Sequence, residues 1–241
     1  MRVATYNLRH GAPARRPAAN RAMARSVASL GADVVALQEV DRRVVRSWFA
    51  DQAGLAARRS GTVAHFAAAR PFGPGGRYGN ALLVRGRTLR TSTLRLPGSG
   101  EPRVALFARV VVADAELTVV STHLQNRTGG RPSEAPTQLA ALLDELTDWP
   151  RPWCVMGDLN LRADTVLPIL DQAGLTAVRS GPTFPATAPR VRIDWIATQG
   201  LGDGEAVVPD LRTSDHRPVV AAFDFPHADG TDADPRAEPH V

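Results

Sequence analysis

The sequence predicts a single α/β domain in which two β-sheets pack against each other and helices lie outside them. Strand candidates number about ten, more than one sheet comfortably holds. Helix candidates are few, and no internal repeat or change of composition divides the chain before residue 226. We therefore expect one domain over residues 1–225. The acidic tail, 226–241, has too few apolar residues to pack, which predicts disorder.

The individual elements follow from the spacing of apolar residues. Helical spacing or composition favours four helices, at 17–30, 48–55, 137–149 and 165–173. Short apolar or alternating runs bounded by Gly and Pro predict strands at 2–8, 33–37, 62–69, 79–84, 88–96, 103–112, 117–122, 153–156, 191–197, 205–208 and 219–225. The glycine- and proline-rich segment 70–77 is predicted to be a loop, and its glycines match neither a P-loop nor a dinucleotide-binding motif.

Composition and charge narrow the possible partners. The 241 residues carry a net charge of +5, and all 29 basic residues are arginine. Arginine suits phosphate groups because its planar guanidinium donates two parallel hydrogen bonds. No apolar stretch is long enough to span a membrane, and the N-terminus lacks a secretory apolar region, so we expect a cytoplasmic monomer. The single cysteine rules out an intramolecular disulfide.

Polar side chains of one chemical type recur where predicted strands end. They are Asn7, Glu39, His123, Asp158 with Asn160, and Asp215 with His216, while Asp194 lies inside a further strand. Each has an ordinary structural explanation, such as a turn-capping Asp or Asn, a solvated charge or a buried histidine. Taken together, convergence of these groups at one end of the sheets is the simpler explanation.

The residue types indicate the chemistry. Carboxylates and carboxamides without clustered cysteine or histidine suit a hard cation such as Mg²⁺, with Mn²⁺ as the alternative. The six histidines show no zinc-binding spacing, and no GxSxG motif of a serine hydrolase is present.

Six short motifs occur in an order that resembles the endonuclease/exonuclease/phosphatase superfamily. They are Thr5-Tyr-Asn-Leu8, Leu37-Gln-Glu-Val40, Ser121-Thr-His-Leu124, Gly157-Asp-Leu-Asn160, Arg192-Ile-Asp-Trp195 and Ser214-Asp-His-Arg-Pro218. The superfamily includes deoxyribonuclease I, abasic-site endonucleases, neutral sphingomyelinases and inositol polyphosphate 5-phosphatases. The resemblance covers nearly the whole chain and implies a four-layer α/β/β/α sandwich of the deoxyribonuclease I type, with two mixed sheets.

The resemblance also implies roles for individual residues. Glu39 would be the principal metal ligand, with Asn7 beside metal and phosphate and Asp215 near the metal. Asp158 would orient or deprotonate the attacking water, and Asn160 would assist at the phosphate. His216 would contact the scissile phosphate and Asp194 would orient it. His123 and, less directly, Asn80 match further active-site positions of the family.

We therefore predict a Mg²⁺-dependent phosphoester hydrolase, most simply a phosphodiesterase, that uses metal-assisted attack of water. The substrate could be a nucleic acid, a phospholipid or an inositol phosphate. Arg192, two residues before Asp194, is a candidate contact to an anionic substrate, with a solvated loop as the alternative. The competing hypothesis is a non-catalytic family member that binds a phosphorylated ligand or protein.

Overall fold

The computed structural model describes residues 1–12, 17–126 and 133–224. In these residues the chain forms twelve strands and four α-helices. The strands are β1 Arg2–Asn7, β2 Val34–Arg42, β3 Val63–Pro71, β4 Arg77–Val84, β5 Arg87–Arg95, β6 Val104–Val112, β7 Ala115–His123, β8 Trp153–Asp158, β9 Thr176–Ala177, β10 Asp194–Gln199, β11 Gly204–Val207 and β12 Val219–Phe223. The helices are α1 Pro17–Ser29, α2 Gln52–Ser60, α3 Ala135–Leu146 and α4 Ala163–Gln172.

The strands form two six-stranded mixed sheets of similar design. The first has the order β11-β12-β1-β2-β4-β3, and the second has the order β5-β6-β7-β8-β10-β9. Each contains one parallel pair at its centre, β1 with β2 and β7 with β8. A helix connects the two strands of each pair, α1 in the first sheet and α3 in the second. The carboxyl ends of the parallel strands therefore meet at one edge of each sheet.

Three apolar clusters define four layers. Inward-facing residues such as Val34 and Ile196 fill the space between the sheets. The alternate residues face outward, so that Val35 packs against the helices α1 and α2 and Val155 packs against α3 and α4. The α/β/β/α sandwich expected from the sequence is confirmed.

A small polar layer joins the two sheets beneath the carboxyl ends of their parallel strands. The buried side chain of Gln38 accepts a hydrogen bond from Thr5 Oγ1 at 3.2 Å and donates to Ser121 Oγ at 3.5 Å. Ser121 in turn donates to the carbonyl of Leu37 at 3.5 Å. Because each of these polar groups has a partner, their burial does not leave a desolvated donor or acceptor.

The structure corrects several of the predicted elements. The predicted helix 48–55 is wrong at its start, because Trp48 and Phe49 have φ of 57° and the helix α2 begins at Gln52. Strand β3 extends to Pro71 and β4 begins at Arg77, which shortens the predicted loop 70–77. The short strand β9 was not predicted. The tail expected to be disordered lies outside the described residues. Among the described helices, none combines the length and apolar character that a membrane crossing requires.

Candidate active site

A polar cavity of about 400 Å³ opens where the parallel strands of both sheets end. Its lining is dominated by ionisable and amide side chains. The lining residues are Glu39, Tyr78, Glu101, Arg103, His123, Asn126, Asp158, Asn160, Phe184, Ile193, Asp215 and His216. Polar groups concentrated in one cavity, rather than spread over the surface, indicate a functional site. We call this space the catalytic cavity.

Glu39 enters the catalytic cavity from a β-bulge. The register between β2 and β4 shifts between Leu37 and Val40, so one extra residue is inserted in β2. Glu39 sits in this bulge with φ of 55°, a left-handed conformation that non-glycine residues rarely adopt. Bulges redirect side chains near active sites, and a strained backbone of this kind is maintained at a cost of about 1–3 kcal/mol. The bulge thus turns the Glu39 carboxylate toward the cavity.

Asp158 enters from the opposite sheet, at the last residue of β8. The strand continues through Gly157, beyond residue 156, where it was predicted to end. Glycine is needed here because the chain approaches β7 closely. A Cβ at Gly157 would lie 2.1 Å from the Thr122 carbonyl oxygen. Beyond the strand, Asp158 Oδ1 accepts a hydrogen bond from the backbone N–H of Asn160 at 3.1 Å. This is an Asx-type turn, so the turn and the site are one feature.

Asn7 connects these two carboxylates. Its Nδ2 donates to Asp158 Oδ2 at 3.0 Å and to Glu39 Oε1 at 3.2 Å. Its amide oxygen accepts from the backbone N–H of Arg9 at 2.9 Å, which fixes the orientation of the amide. The last residue of β1 therefore acts as a shared donor between the two sheets.

His216 faces Asp158 and is held by Asp194. Its Nδ1 lies 2.9 Å from Asp194 Oδ2, and its Nε2 lies 3.7 Å from Asp158 Oδ2. Thr183 Oγ1 donates to the same oxygen of Asp194. Burial acts to lower the pKa of His216, but the carboxylates of Asp194 and Asp158 outweigh it and raise this pKa to about 10. His216 is therefore an imidazolium at neutral pH.

His123 takes the opposite charge state. Burial, followed by the neighbouring Arg103 guanidinium, holds the pKa of His123 well below its usual range. Arg103 Nη1 lies 3.0 Å from His123 Nδ1, and a guanidinium can only donate. The neutral ring must therefore accept at Nδ1 and carry its proton on Nε2, which lies 3.5 Å from Asp158 Oδ2.

The two carboxylates of the cavity differ in their pKa. Burial alone would raise the pKa of Glu39, but the His10 ring, whose Nδ1 lies 3.5 Å from Glu39 Oε2, the neighbouring His123 and the Asn7 amide lower it to about 2. Burial raises the pKa of Asp158 to about 7, with Asp194 adding to the effect and His216 opposing it. Glu39 is thus ionised at neutral pH, while Asp158 exchanges a proton there.

Two sets of side chains are candidates for holding a cation. Ligand atoms of Asp158, Asp194 and His216 lie within 4.8 Å of one another. Asp194 Oδ1 has no hydrogen-bond partner among the described residues, but a protonated imidazole has no lone pair to give, so His216 cannot complete this group. The ionised, partly exposed Glu39 suits a hard cation better, and the Asp215 carboxylate lines the same cavity.

The remaining predicted site residues divide into two groups. Asn160 and Asp215 line the catalytic cavity; Asn160 Nδ2 donates to the Leu124 carbonyl, and Asp215 pairs with Arg9 at 3.3 Å. Asn80 and Arg192 are not among its described lining residues. Asn80 donates to the Val104 carbonyl between the sheets. The Arg192 guanidinium stacks on Trp195 and donates to the Val178 carbonyl, so it does not reach the cavity.

Sequence reasoning missed Arg103, Glu101 and Tyr78, which form one wall of the cavity. Arg103 is buried and pairs with Glu101 at 3.2 Å. The only signal in the sequence was a charged residue at the start of the long apolar strand β6. Gln38 was also missed as the link between the sheets, although it stands beside Glu39 in the motif.

Comparison with known proteins defines the class of this molecule. The chain belongs to the Endonuclease/Exonuclease/phosphatase family, whose model matches residues 4–216. Members of this family are typically phosphoester hydrolases and generally depend on a divalent metal.

Particular relatives add detail. UPF0294 proteins of Vibrio cholerae serotype O1 are 36% identical over 131 residues, covering 51% of this chain and 45% of theirs. The chain thus spans less than half the length of the curated relatives it matches.

Two solved structures share the fold. Mannosyl-6-phosphatase Bt3783 of Bacteroides thetaiotaomicron VPI-5482 has a TM-score of 0.74 at 15% identity, covering 93% of this chain and 100% of that chain. D. rerio TDP2, complexed with single-strand DNA product, has a TM-score of 0.69 at 18% identity, covering 93% and 99%.

Proposed function

We propose that this protein is a Mg²⁺-dependent phosphodiesterase in which Asp158 acts on the attacking water and Glu39 holds the metal. The observation that carries the proposal is the Asn7 amide, which bridges an ionised carboxylate and a carboxylate with a raised pKa in one cavity. When their surroundings give two carboxyl groups of one site different pKa values, the two groups commonly take different roles in catalysis.

Asp158 is suited to the role of general base. A free aspartate has a pKa of about 3.9 and removes a proton from water poorly. With its pKa raised to about 7, the Asp158 carboxylate is a much stronger base that is still substantially ionised at neutral pH. The Asn7 amide and the Asn160 backbone N–H leave it one preferred orientation.

His216 supplies a fixed positive charge opposite Asp158. Its Nδ1–H is engaged by Asp194, so the Nε2–H projects toward the cavity as a donor. A protonated imidazole held in place can stabilise negative charge on the phosphate oxygens as it develops, with no reorganisation during the reaction. The ring of Phe184, 4.9 Å from that of His216 between centroids, restricts the imidazole further.

A cation fits beside Glu39 and Asp215, with Mn²⁺ as an alternative to Mg²⁺. When bound, it would neutralise charge on the phosphate and acidify water. The chain's own part is to keep Glu39 ionised. The low pKa of about 2 means that Glu39 need not lose a proton before it binds a cation at neutral pH.

The balance of charge in the cavity favours a diester over a monoester. Arg103 is the one arginine lining the described part of the cavity, and it is already engaged by His123, Glu101 and Gln125. A dianionic monoester would call for more free cationic donors than this cavity offers. The solved structures that share the fold include a mannosyl-6-phosphatase and a TDP2 complexed with single-strand DNA product, so sugar phosphates and nucleic acids both belong in the test.

The proposal is tested with bis-p-nitrophenyl phosphate and p-nitrophenyl phosphate, each with Mg²⁺, with Mn²⁺ and with a chelator. We expect metal-dependent hydrolysis that is faster on the diester. A natural panel of plasmid DNA, abasic duplex, RNA, phospholipids, inositol phosphates and sugar phosphates then identifies the leaving group.

A matched pair of variants separates chemistry from folding. Asp158→Asn should abolish the activity, whereas the same exchange at Asp171, an exposed residue of α4, should leave it unchanged. Absence of metal-dependent hydrolysis of every compound in the panel would contradict the catalytic proposal and favour a phosphoester-binding protein.

A further inference from the structure

The loop after β2, residues 43–50, exposes three large apolar side chains close together. Val45, Trp48 and Phe49 are 64%, 58% and 63% exposed. Trp48 and Phe49 are the two exposed aromatic residues of the described part of the chain. We call this segment the aromatic loop. Isolated exposed apolar residues are ordinary, but three within five positions form a patch that calls for an explanation.

The backbone of the aromatic loop makes its composition more unusual. Trp48 and Phe49 both have φ of 57°, a conformation that favours glycine and is uncommon for bulky residues. Two large aromatic side chains thus occupy two successive positions where glycine would be less strained. Both side chains are mostly exposed, and a role at the surface accounts for two large rings at such positions.

Positive charge flanks the patch. Arg43 and Arg77 are exposed, and neither has a carboxylate partner among the described residues. Arg77 lies next to the aromatic loop. Its neighbour Gly76 is so close to the loop that an added Cβ would lie 3.0 Å from the Arg43 carbonyl oxygen. Two other arginines nearby are neutralised, since Arg46 pairs with Asp41 at 2.8 Å and Arg70 with Glu101 at 2.9 Å.

The aromatic loop also borders an open apolar groove of about 460 Å³. Its lining is Val44, Val45, Arg46, Trp48, Phe72 and Gly73. The Arg46 guanidinium lies 4.0 Å from the ring centroid of Phe72 and 5.3 Å from that of Tyr78. Tyr78 lines the catalytic cavity, so one layer of side chains separates the groove from the proposed site of chemistry.

We propose that the aromatic loop docks this protein on an anionic lipid bilayer, with Trp48, Phe49 and Val45 entering the interface and Arg43 and Arg77 facing the headgroups. Tryptophan concentrates at the membrane–water interface because its ring is both apolar and able to donate a hydrogen bond. Aromatic and aliphatic side chains beside arginine are the combination that binds interfaces weakly and reversibly. This inference does not depend on the catalytic proposal.

Two other occupants fit the surface less well. Single-stranded nucleic acid would need a continuous track of free cations beside the stacking aromatics, whereas Arg43 and Arg77 are separated by Arg46 and Arg70, which are tied to carboxylates. Val45, the most exposed of the three apolar side chains, has no ring on which a base could stack. A second copy of the chain would bury the patch, but it would also bring Arg43 and Arg77 against a body that is itself basic.

The test is co-sedimentation of the full chain with phosphatidylcholine vesicles, with and without phosphatidylglycerol. We expect binding to the anionic vesicles that weakens as salt is raised. The Trp48→Gly/Phe49→Gly double variant should bind on the order of tenfold or more weakly, since it removes two interfacial aromatic rings. Because glycine suits both backbone positions, this variant should keep or raise the Tm, which excludes misfolding as the cause.

Three controls complete the design. Val207→Ser removes an exposed apolar residue at the other edge of the first sheet and should bind vesicles normally. Arg43→Gln/Arg77→Gln should weaken binding to anionic vesicles and reduce its salt dependence. Hydrolysis of bis-p-nitrophenyl phosphate should be unchanged in the glycine variant, so that a failure of the docking proposal remains distinct from a failure of the catalytic one.

The proposal is overturned if the parent protein sediments with neither vesicle type, or if the glycine variant binds as strongly as the parent. It is also overturned if the glycine substitutions abolish binding to a single-stranded oligonucleotide while vesicle binding is absent. A dimer in size-exclusion chromatography with light scattering that the glycine substitutions dissociate, again without vesicle binding, assigns the surface to a second copy of the chain.

Discussion

Glu39 and Asp158 are two carboxylates that share one hydrogen-bond donor, the Asn7 amide, and yet take different protonation states. The Glu39 side chain is 22% exposed and has a pKa of about 2, whereas that of Asp158 is 2% exposed and has a pKa of about 7. The chemical group and the shared donor are the same, so the difference comes from the surroundings.

The backbone creates these different surroundings. The β-bulge in β2 turns Glu39 toward the open part of the cavity, within reach of His10 at 3.5 Å. Asp158 remains in regular strand geometry, where β7 and β10 cover it and Asp194 adds a second carboxylate. In the proposed mechanism, one sheet thus provides an anionic ligand site and the other a base. Each half can be changed separately.

The largest effect is expected from Asp158→Asn, which keeps the shape of the side chain but removes the proton acceptor. We expect the kcat for bis-p-nitrophenyl phosphate to fall by about 10⁴-fold, the upper end of general-base effects. The Mg²⁺ concentration for half-maximal activity should stay the same, because Glu39 is untouched. Steady-state kinetics over a Mg²⁺ titration measure both quantities. A changed Mg²⁺ requirement with an intact kcat would reverse the assigned roles.

Glu39→Gln should produce the complementary result. The amide still accepts a hydrogen bond from Asn7 but has lost the charge that holds a cation, so the Mg²⁺ concentration for half-maximal activity should rise by about 100-fold. At saturating Mg²⁺ most of the kcat should return. Glu205→Gln, on the exposed strand β11, serves as the matched control. A kcat that stays low at every Mg²⁺ concentration would place Glu39 in the chemistry itself.

The pH dependence of hydrolysis by the parent protein should show an acid limb set by Asp158 and an alkaline limb set by His216. The pKa of Asp158 is raised to about 7, so below that pH the base is protonated and kcat/KM should fall about tenfold per pH unit. The pKa of His216 is raised to about 10, so its charge and the activity should be lost only above that value. Glu39, with a pKa of about 2, should contribute no limb in between. An acid limb that persists in residual activity of Asp158→Asn would belong to another group.

The sequence was sufficient for the parts of the site that depend on strand pattern. Asn7, Glu39 and Asp158 each follow or lie in an apolar run, and parallel strands bring their carboxyl ends together. The two packed sheets were predicted from the number of strand candidates, and the four layers from the family resemblance. In the structure, alternate residues of strands such as β2 face two different cores.

Features that depend on long-range packing were not predictable. The raised pKa of Asp158 comes from its burial, and the bulge at Glu39 from pairing with β4. The position of Arg192 was not predictable either, since the strand was expected to begin at residue 191. Strand β10 begins at Asp194, and the Arg192 guanidinium instead stacks on Trp195. Trp48 and Phe49 were expected to begin a helix over 48–55, whereas their backbone is left-handed.

The smallest effect is expected from Arg103→Met, which tests how the second sheet sets the proton position on His123. Arg103 donates to Nδ1 and places the proton on Nε2, facing Asp158. Without this donor the ring can adopt either tautomer, so kcat should fall by roughly tenfold, while KM and the Mg²⁺ requirement stay close to the parent values.

Nitrogen chemical shifts of His123 provide a readout that altered packing alone would not reproduce. The parent should show a neutral ring protonated at Nε2, and Arg103→Met should show a mixture of tautomers and a higher His123 pKa, because a positive neighbour has been removed. Arg103→Lys retains the charge and should keep that pKa low. The matched exchange at Arg87, exposed on β5, should change neither rate nor shift. If His123 remains in the Nε2–H form in Arg103→Met, Asp158 alone sets the tautomer of this ring. The two carboxylates would then also differ in how each acts on its neighbouring histidine, His123 for Asp158 and His10 for Glu39.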